Sequence, residues 1–94
     1  MTLEEVINAC NCSIIDVRTR EEYRGGSVAD AKNIPLNEIP NNIELLKEMN
    51  QPLVLCCASG GRSEQATNYL KSLGFDCYNG GSWLEVNYYK ANKH

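Results

Sequence analysis

Leu55-Cys56-Cys57-Ala58-Ser59-Gly60-Gly61-Arg62-Ser63 joins an uninterrupted apolar run to a helical one. The run before it, Pro52 to Cys57, is short and apolar, as expected of a strand in the middle of a parallel sheet. After the break at Ala58–Gly61, Ala66, Tyr69, Leu70 and Leu73 share one face of a helix expected from Arg62 to Leu73, and Gly74 supplies its stop. In open α/β sheets, sites lie outside the carboxyl ends of the strands. The two glycines let the backbone close into a cup with N–H groups turned inward. The helix that follows adds the positive end of its dipole. Arg62, at the rim, brings a guanidinium suited to a sulfur or phosphorus oxyanion.

A cysteine at the floor of such a cup has its thiolate stabilised. A free cysteine titrates near ~8.5, and helix N-termini with cationic neighbours lower that value. The same N–H ring would hold a persulfide anion, and Ser59 offers a hydroxyl donor. An ionised cysteine needs no general base, which suits a chain whose single histidine is His94. Two adjacent cysteines leave two registers open. From Cys57 the loop is C-x4-R; from Cys56 it is C-x5-R followed by Ser63, the spacing of cysteine phosphatases. Strand alternation turns the two cysteines to opposite sides, and the strand's last position is the better placed to face the cup. Cys57 is therefore the expected nucleophile and Cys56 a small buried hydrophobe.

Outward from this segment, strands and helices alternate. Thr2-Leu3-Glu4-Glu5 is a capping-box start for a short helix to about Ala9. Ser13 to Val17 reads as a buried strand, and Thr19 caps a short turn through Glu21, Glu22 and Tyr23 that Gly25-Gly26 ends. Lys32 to Pro35 reads as a brief strand. Asn41 to Met49 shows a helical face at Ile43, Leu45, Leu46 and Met49. Phe75 to Tyr78 is a further strand, and Gly80-Gly81 turns into a last helix near Trp83 to Ala91. The alternation predicts an α/β domain with a mainly parallel sheet.

A length of 94 residues fits one domain, 1–94. With 43% apolar and 22% charged residues, the composition is that of a soluble globular protein. The net charge of −3 leaves no basic footprint, so neither nucleic acid nor a membrane is expected as a partner. No stretch approaches the roughly 18 apolar residues that span a bilayer, and Met1-Thr2-Leu3-Glu4-Glu5 lacks the order of a secretory signal. A cytoplasmic location is the expectation. Five cysteines (Cys10, Cys12, Cys56, Cys57 and Cys77) form an odd count that argues for free thiols rather than a disulfide framework. Cys10 and Cys12 make a C-x-C, but no second pair or histidine cluster completes a zinc site, so neither metal nor cofactor is expected.

Cys57-Ala58-Ser59-Gly60-Gly61-Arg62 resembles the C-x-x-G-x-R active-site loop of the rhodanese family. Asp16-Val17-Arg18-Thr19-Arg20-Glu21-Glu22-Tyr23 is similar to that family's D-V-R-x-x-x-E-[YF] signature. Ala31-Lys32-Asn33-Ile34-Pro35-Leu36 resembles its A-x-N-I-P-L continuation, and Gly80-Gly81 with Trp83 the glycine pair before its last helix. The four blocks stand in family order over roughly residues 14–83. The resemblance implies a rhodanese-like fold, a mainly parallel five-stranded sheet flanked by helices, with Cys57 as persulfide carrier. Two departures are plain. Ser27 stands where the family often has histidine, and Ala58 and Ser59 are neutral where thiosulfate-preferring members carry a basic residue. The second favours a protein persulfide or polysulfide as donor.

Around the loop of Ala58, Ser59, Gly60, Gly61 and Arg62, three residues are expected in support. Asp16 is an anchoring acceptor at a strand end, and Arg18 pairs with Glu22 near the site. Trp83, Tyr88 and Tyr89 are assigned to packing of the last helix, Cys77 to the interior, and Lys90, Lys93 and His94 to a solvated end. The expected activity is rhodanese-type sulfur transfer, of the thiosulfate:cyanide class, from a small sulfur-containing anion or protein persulfide to a thiol acceptor. The alternatives are a phosphatase or arsenate reductase using Cys56, and a non-catalytic rhodanese-like binding module.

Overall fold

The structure, a computed structural model, describes residues 2–8 and 12–91; Ala9, Cys10, Lys93 and His94 lie outside them. Four strands form one parallel sheet in the order β2-β1-β3-β4, with β1 at Ser13–Asp16, β2 at Lys32–Asn33, β3 at Leu53–Cys57 and β4 at Cys77–Ser82. The helices are α1 (Leu3–Asn8), α2 (Arg20–Arg24), α3 (Ile43–Glu48), α4 (Gly61–Ser72) and α5 (Trp83–Ala91). A 3-10 helix, Leu36–Asn42, precedes α3. The described residues thus show four strands where the resemblance implied five. Before β1 the chain is committed to helix by the Thr2–Glu5 capping box, whose two bonds measure 2.9 and 3.2 Å.

Strand β3 is buried along its whole length, as its unbroken apolar sequence requires. Its alternation divides the core in two. Leu53, Leu55 and Cys57 pack with Ile15, Leu46, Ala66 and Leu70 on the side of α3 and α4. Val54 and Cys56 pack with Val6, Ile14 and Val86 on the side of α1 and α5. Full burial of each such aliphatic side chain contributes ~1.5–3 kcal/mol, which anchors the strand that carries the loop at its end.

Three expectations about the elements need correction. The helix expected from Asn41 begins as a 3-10 helix at Leu36, and the α-helix proper starts only at Ile43; Pro40 lacks the N–H that an earlier α-helix would use. Tyr69 and Leu73, placed on the apolar face of α4, are exposed, as is Tyr88 on α5; the buried face of α4 is Ser63, Ala66, Thr67 and Leu70. Gly80-Gly81 does not form a turn. Strand β4 runs through both glycines to Ser82, with a bulge where its register against β3 shifts from Leu55↔Asn79 to Cys56↔Gly81. A Cβ on Gly80 would lie 2.9 Å from side-chain atoms of both Val54 and Val86, so glycine is required there for close packing.

Candidate active site

The loop Ala58–Gly60 leaves the carboxyl end of β3 and enters α4 at Gly61. Gly60 is the N-cap in the left-handed region (φ 100°), a conformation costly for a side-chain-bearing residue. That turn folds the loop back over Cys57, and Gly60 N–H donates to Cys57 Sγ at 2.9 Å. The Ser63 hydroxyl lies 3.5 Å from the same sulfur. Cys57 is only 1% exposed, so its sulfur sits under the loop rather than on the surface. Burial alone would push this thiol up. The Ser63 hydroxyl, with the backbone N–H groups of Ser63, Gly60 and Ser59, outweighs burial and holds it below the ordinary cysteine value. The hydroxyl on the sulfur is thus that of Ser63, which the sequence placed only in the alternative register counted from Cys56; Ser59, expected to donate its hydroxyl, contributes its amide. Ala58 and Ser59 themselves stand exposed at the crest of the loop.

Cys56 is fully buried on the opposite face of β3. Burial, with a smaller push from Asp16, raises its thiol to about 12, so it stays protonated across the physiological range. The register that would have used Cys56 finds its sulfur away from the cup.

Arg62 does not point freely at the loop. Its guanidinium takes Glu22 in two bonds, Nη1–Oε1 at 2.7 Å and Nη2–Oε2 at 3.0 Å. Glu22 is held at about 2 by Arg62 first and by the Thr19 backbone N–H second. Glu22 also completes the capping box that starts α2 on Thr19. The partner foreseen for Glu22 was Arg18, and that pairing is not made. Arg18 instead folds onto Asp16, with Nη2–Oδ2 at 2.6 Å and Nε 3.0 Å from both carboxylate oxygens. It also donates to Gly26 O at 2.7 Å and stacks 4.7 Å from the Trp83 ring centroid. Asp16, fully buried, accepts the Arg18 N–H as well, the anchoring role expected of it. With Asn33 Nδ2 donating to Asp16 O and Arg18 O at 3.0 Å each, this knot fixes the β1–α2 connection beside the loop. An open cavity of about 340 Å³ is lined by Val17, Thr19, Pro35, Leu36, Asn37 and Arg62.

Asn79, also unforeseen, reaches the loop from β4. Its Oδ1 lies 2.6 Å from Ser63 Oγ and accepts Gly81 N–H at 2.9 Å, while its Nδ2 donates to Gly60 O at 3.3 Å. The sequence signal was faint: an amide side chain directly before the glycine pair.

The Cys57 sulfur thus lies under the amides of the loop, between the end of a parallel strand and the start of a helix. The Rhodanese-like domain model matches residues 2–85, and the chain belongs to that family. It is 30% identical over 86 residues to the human thiosulfate:glutathione sulfurtransferase, covering 78% of this chain and 75% of that protein. It is 34% identical over 62 residues to a sulfurtransferase of Allochromatium vinosum, covering 66% of this chain and 57% of the relative. Among solved structures, a rhodanese-like domain protein from Staphylococcus aureus superposes with a TM-score of 0.74 at 33% identity, covering 84% of this chain and 76% of the other. Among the curated relatives, two bacterial proteins are spanned over only 34% and 57% of their length. No helix among the described residues is long and apolar enough to cross a membrane.

Proposed function

We propose that this chain is a sulfurtransferase domain that carries sulfane sulfur as a persulfide on Cys57. The observation that carries the proposal is the amide-and-hydroxyl ring on Cys57 Sγ, with Gly60 N–H at 2.9 Å. Relatives described as sulfurtransferases support the same chemistry. The Cys57 thiolate attacks the outer sulfur of a donor. A bond forms between Sγ and that sulfur while the donor's bond to it breaks, and the electron pair leaves with the remainder, a sulfite or a thiolate. The negative charge then rests on the outer sulfur of Cys57–S–S⁻. An acceptor thiolate attacks that outer sulfur, takes it as its own persulfide, and returns the electron pair to Sγ. The cycle needs no cofactor, because every electron pair is accounted for within donor, cysteine and acceptor.

The donor must present a terminal sulfur end-on, since Cys57 is almost fully covered. Arg62 is already occupied by Glu22, and Ala58 and Ser59 bring no charge. A protein persulfide or polysulfide therefore suits the loop better than thiosulfate, a dianion that would need free cationic groups. A thiol is the acceptor class, with cyanide serving in the assay. The test is intact mass after incubation with polysulfide, followed by peptide mapping. A gain of one sulfur atom on Cys57, absent in Cys57→Ser, is the expected result. Full transfer by Cys57→Ser would overturn the proposal.

A further inference from the structure

We infer that Asn79 governs how readily Cys57 ionises, by drawing the Ser63 hydroxyl proton away from the cysteine sulfur. The inference rests on Cys57 as the sulfur-bearing residue.

Ser63 is fully buried, and its Oγ has three neighbours: Asn79 Oδ1 at 2.6 Å, Gly60 O at 3.1 Å and Cys57 Sγ at 3.5 Å. A hydroxyl has one proton to give. Which way the Asn79 carboxamide faces is settled by its two other contacts. Gly81 N–H can only donate, so the atom facing it is Oδ1; Gly60 O can only accept, so the atom facing it is Nδ2. Turning the amide over would set donor against donor and acceptor against acceptor. An acceptor is thereby fixed at the shortest distance from Ser63 Oγ, in competition with the sulfur.

The consequences differ between charge states. When Cys57 is a thiol, its S–H donates to Ser63 Oγ and the Ser63 O–H donates to Asn79, a chain satisfied from end to end. When Cys57 is a thiolate, the Ser63 proton must swing to the sulfur and Asn79 loses that donor. Once a sulfur is loaded, the charge moves outward to the second sulfur, and the Ser63 proton returns to Asn79. Asn79 thus favours the two states in which Sγ itself is uncharged, thiol and persulfide. It is a positioning residue, on the same side of β4 as Cys77, and the bulge that inserts Gly80 after it lies between Asn79 and the Gly81 N–H that its Oδ1 accepts. The titratable and charged groups on the elements around Cys57 are Arg62 on α4 with its Glu22 partner on α2, the Asp16–Arg18 pair at the end of β1, Cys56 beside it, and Cys77 on β4; of these, Arg62 and Cys56 interact with the Cys57 charge. Replacing Asn79 leaves all of them in place, and its exposed position spares the core.

The experiment is the pH dependence of Cys57 alkylation in the full chain, read by peptide mapping. In Asn79→Ala the midpoint shifts to lower pH, and alkylation below the wild-type midpoint speeds up by about threefold to tenfold, the worth of one hydrogen bond in one charge state. In a Ser63→Ala background the same Asn79→Ala change leaves the midpoint where it was. Asn79→Leu, of similar size, gives the same result as Asn79→Ala and serves if the smaller residue loosens the loop. An unchanged or raised midpoint in Asn79→Ala and Asn79→Leu, or an equal shift without Ser63, overturns the inference. Alkylation requires no sulfur donor. A normal midpoint shift with no sulfur loading would sink the proposed activity and leave the Asn79 role standing.

Discussion

Arg62 and Glu22 face each other in two parallel bonds across forty residues of sequence, tying the first turn of α4 to α2. Two segments of unrelated sequence, the loop helix and the β1–α2 connection, are thereby held as one rim. The carboxylate cancels the guanidinium charge that a bare loop would offer to an anion.

Replacing Glu22 with Gln keeps the shape and removes one negative charge. The KM for an anionic donor such as thiosulfate then falls by about threefold or more, while that for an uncharged organic polysulfide stays unchanged. Steady-state kinetics with both donors reads this directly; an equal change for both would mean that the carboxylate shapes the loop rather than screening it. Both partners are about a third exposed, so urea unfolding shifts by only about 1 kcal/mol or less. Glu22 titrates at about 2 in the folded chain, below an ordinary carboxylate. Its contribution to stability is therefore complete above the unfolded value of about 4.3 and is lost as the pH falls toward 2.

The two adjacent cysteines differ in their response to alkali. Cys57 ionises below the ordinary thiol value, whereas Cys56 is pushed up to about 12. Alkylation between neutral pH and pH ~9, bracketing the ordinary thiol value of about 8.5, should mark Cys57 and spare Cys56 until the protein is unfolded. Equal labelling of both in the native state would contradict the burial of Cys56.

Arg18→Met leaves the Asp16 carboxylate buried without its cation. Removing one member of such a pair costs about 3–5 kcal/mol, read as a shift in the urea midpoint at unchanged slope. Because the guanidinium lies over Trp83, the indole fluorescence of the folded variant changes too. A loss below about 1 kcal/mol would mean that the pair behaves as an exposed one.

Gly80→Ala and Gly61→Ala form a contrasting pair. A Cβ at Gly80 meets Val54 and Val86 at 2.9 Å, whereas a Cβ at Gly61 has no heavy atom within 4 Å. The first should destabilise by about 1–3 kcal/mol through overpacking. The second, in helical backbone, should be neutral or stabilising by up to about 1 kcal/mol. Thermal unfolding of the two variants distinguishes local space from a general intolerance of the loop region.

What the sequence disclosed was mostly local. The β3 run, the loop glycines, the Thr2–Glu5 capping box and the Thr19 cap each depend on neighbours within a few positions, and the structure places them as read, to within a residue or so at the ends. Strand alternation was enough to separate Cys56 from Cys57. The pairings of charged side chains were not legible. Glu22 lies four positions from Arg18, a spacing that invites a local pair, but the capping bond to Thr19 turns it toward Arg62 instead, while Asp16 takes Arg18 at closer range. Asn79 and Ser63 meet because Asn79 lies two positions beyond Cys77, on the side of β4 that faces α4, and which strand packs against which helix is decided between elements rather than by the residues of one strand. The glycine pair 80–81 misled for the same reason: glycine marks turns in isolation, but here it makes room for Val54 and Val86.

The pleat of β3 has one more implication. A persulfide beside a reactive thiol is self-consuming, because the neighbour can close a disulfide and expel the stored atom as hydrogen sulfide. Here the adjacent sulfur is sealed behind the sheet and kept protonated, so that route of spontaneous discharge is shut. Cargo on residue 57 would wait for an outside visitor to collect it.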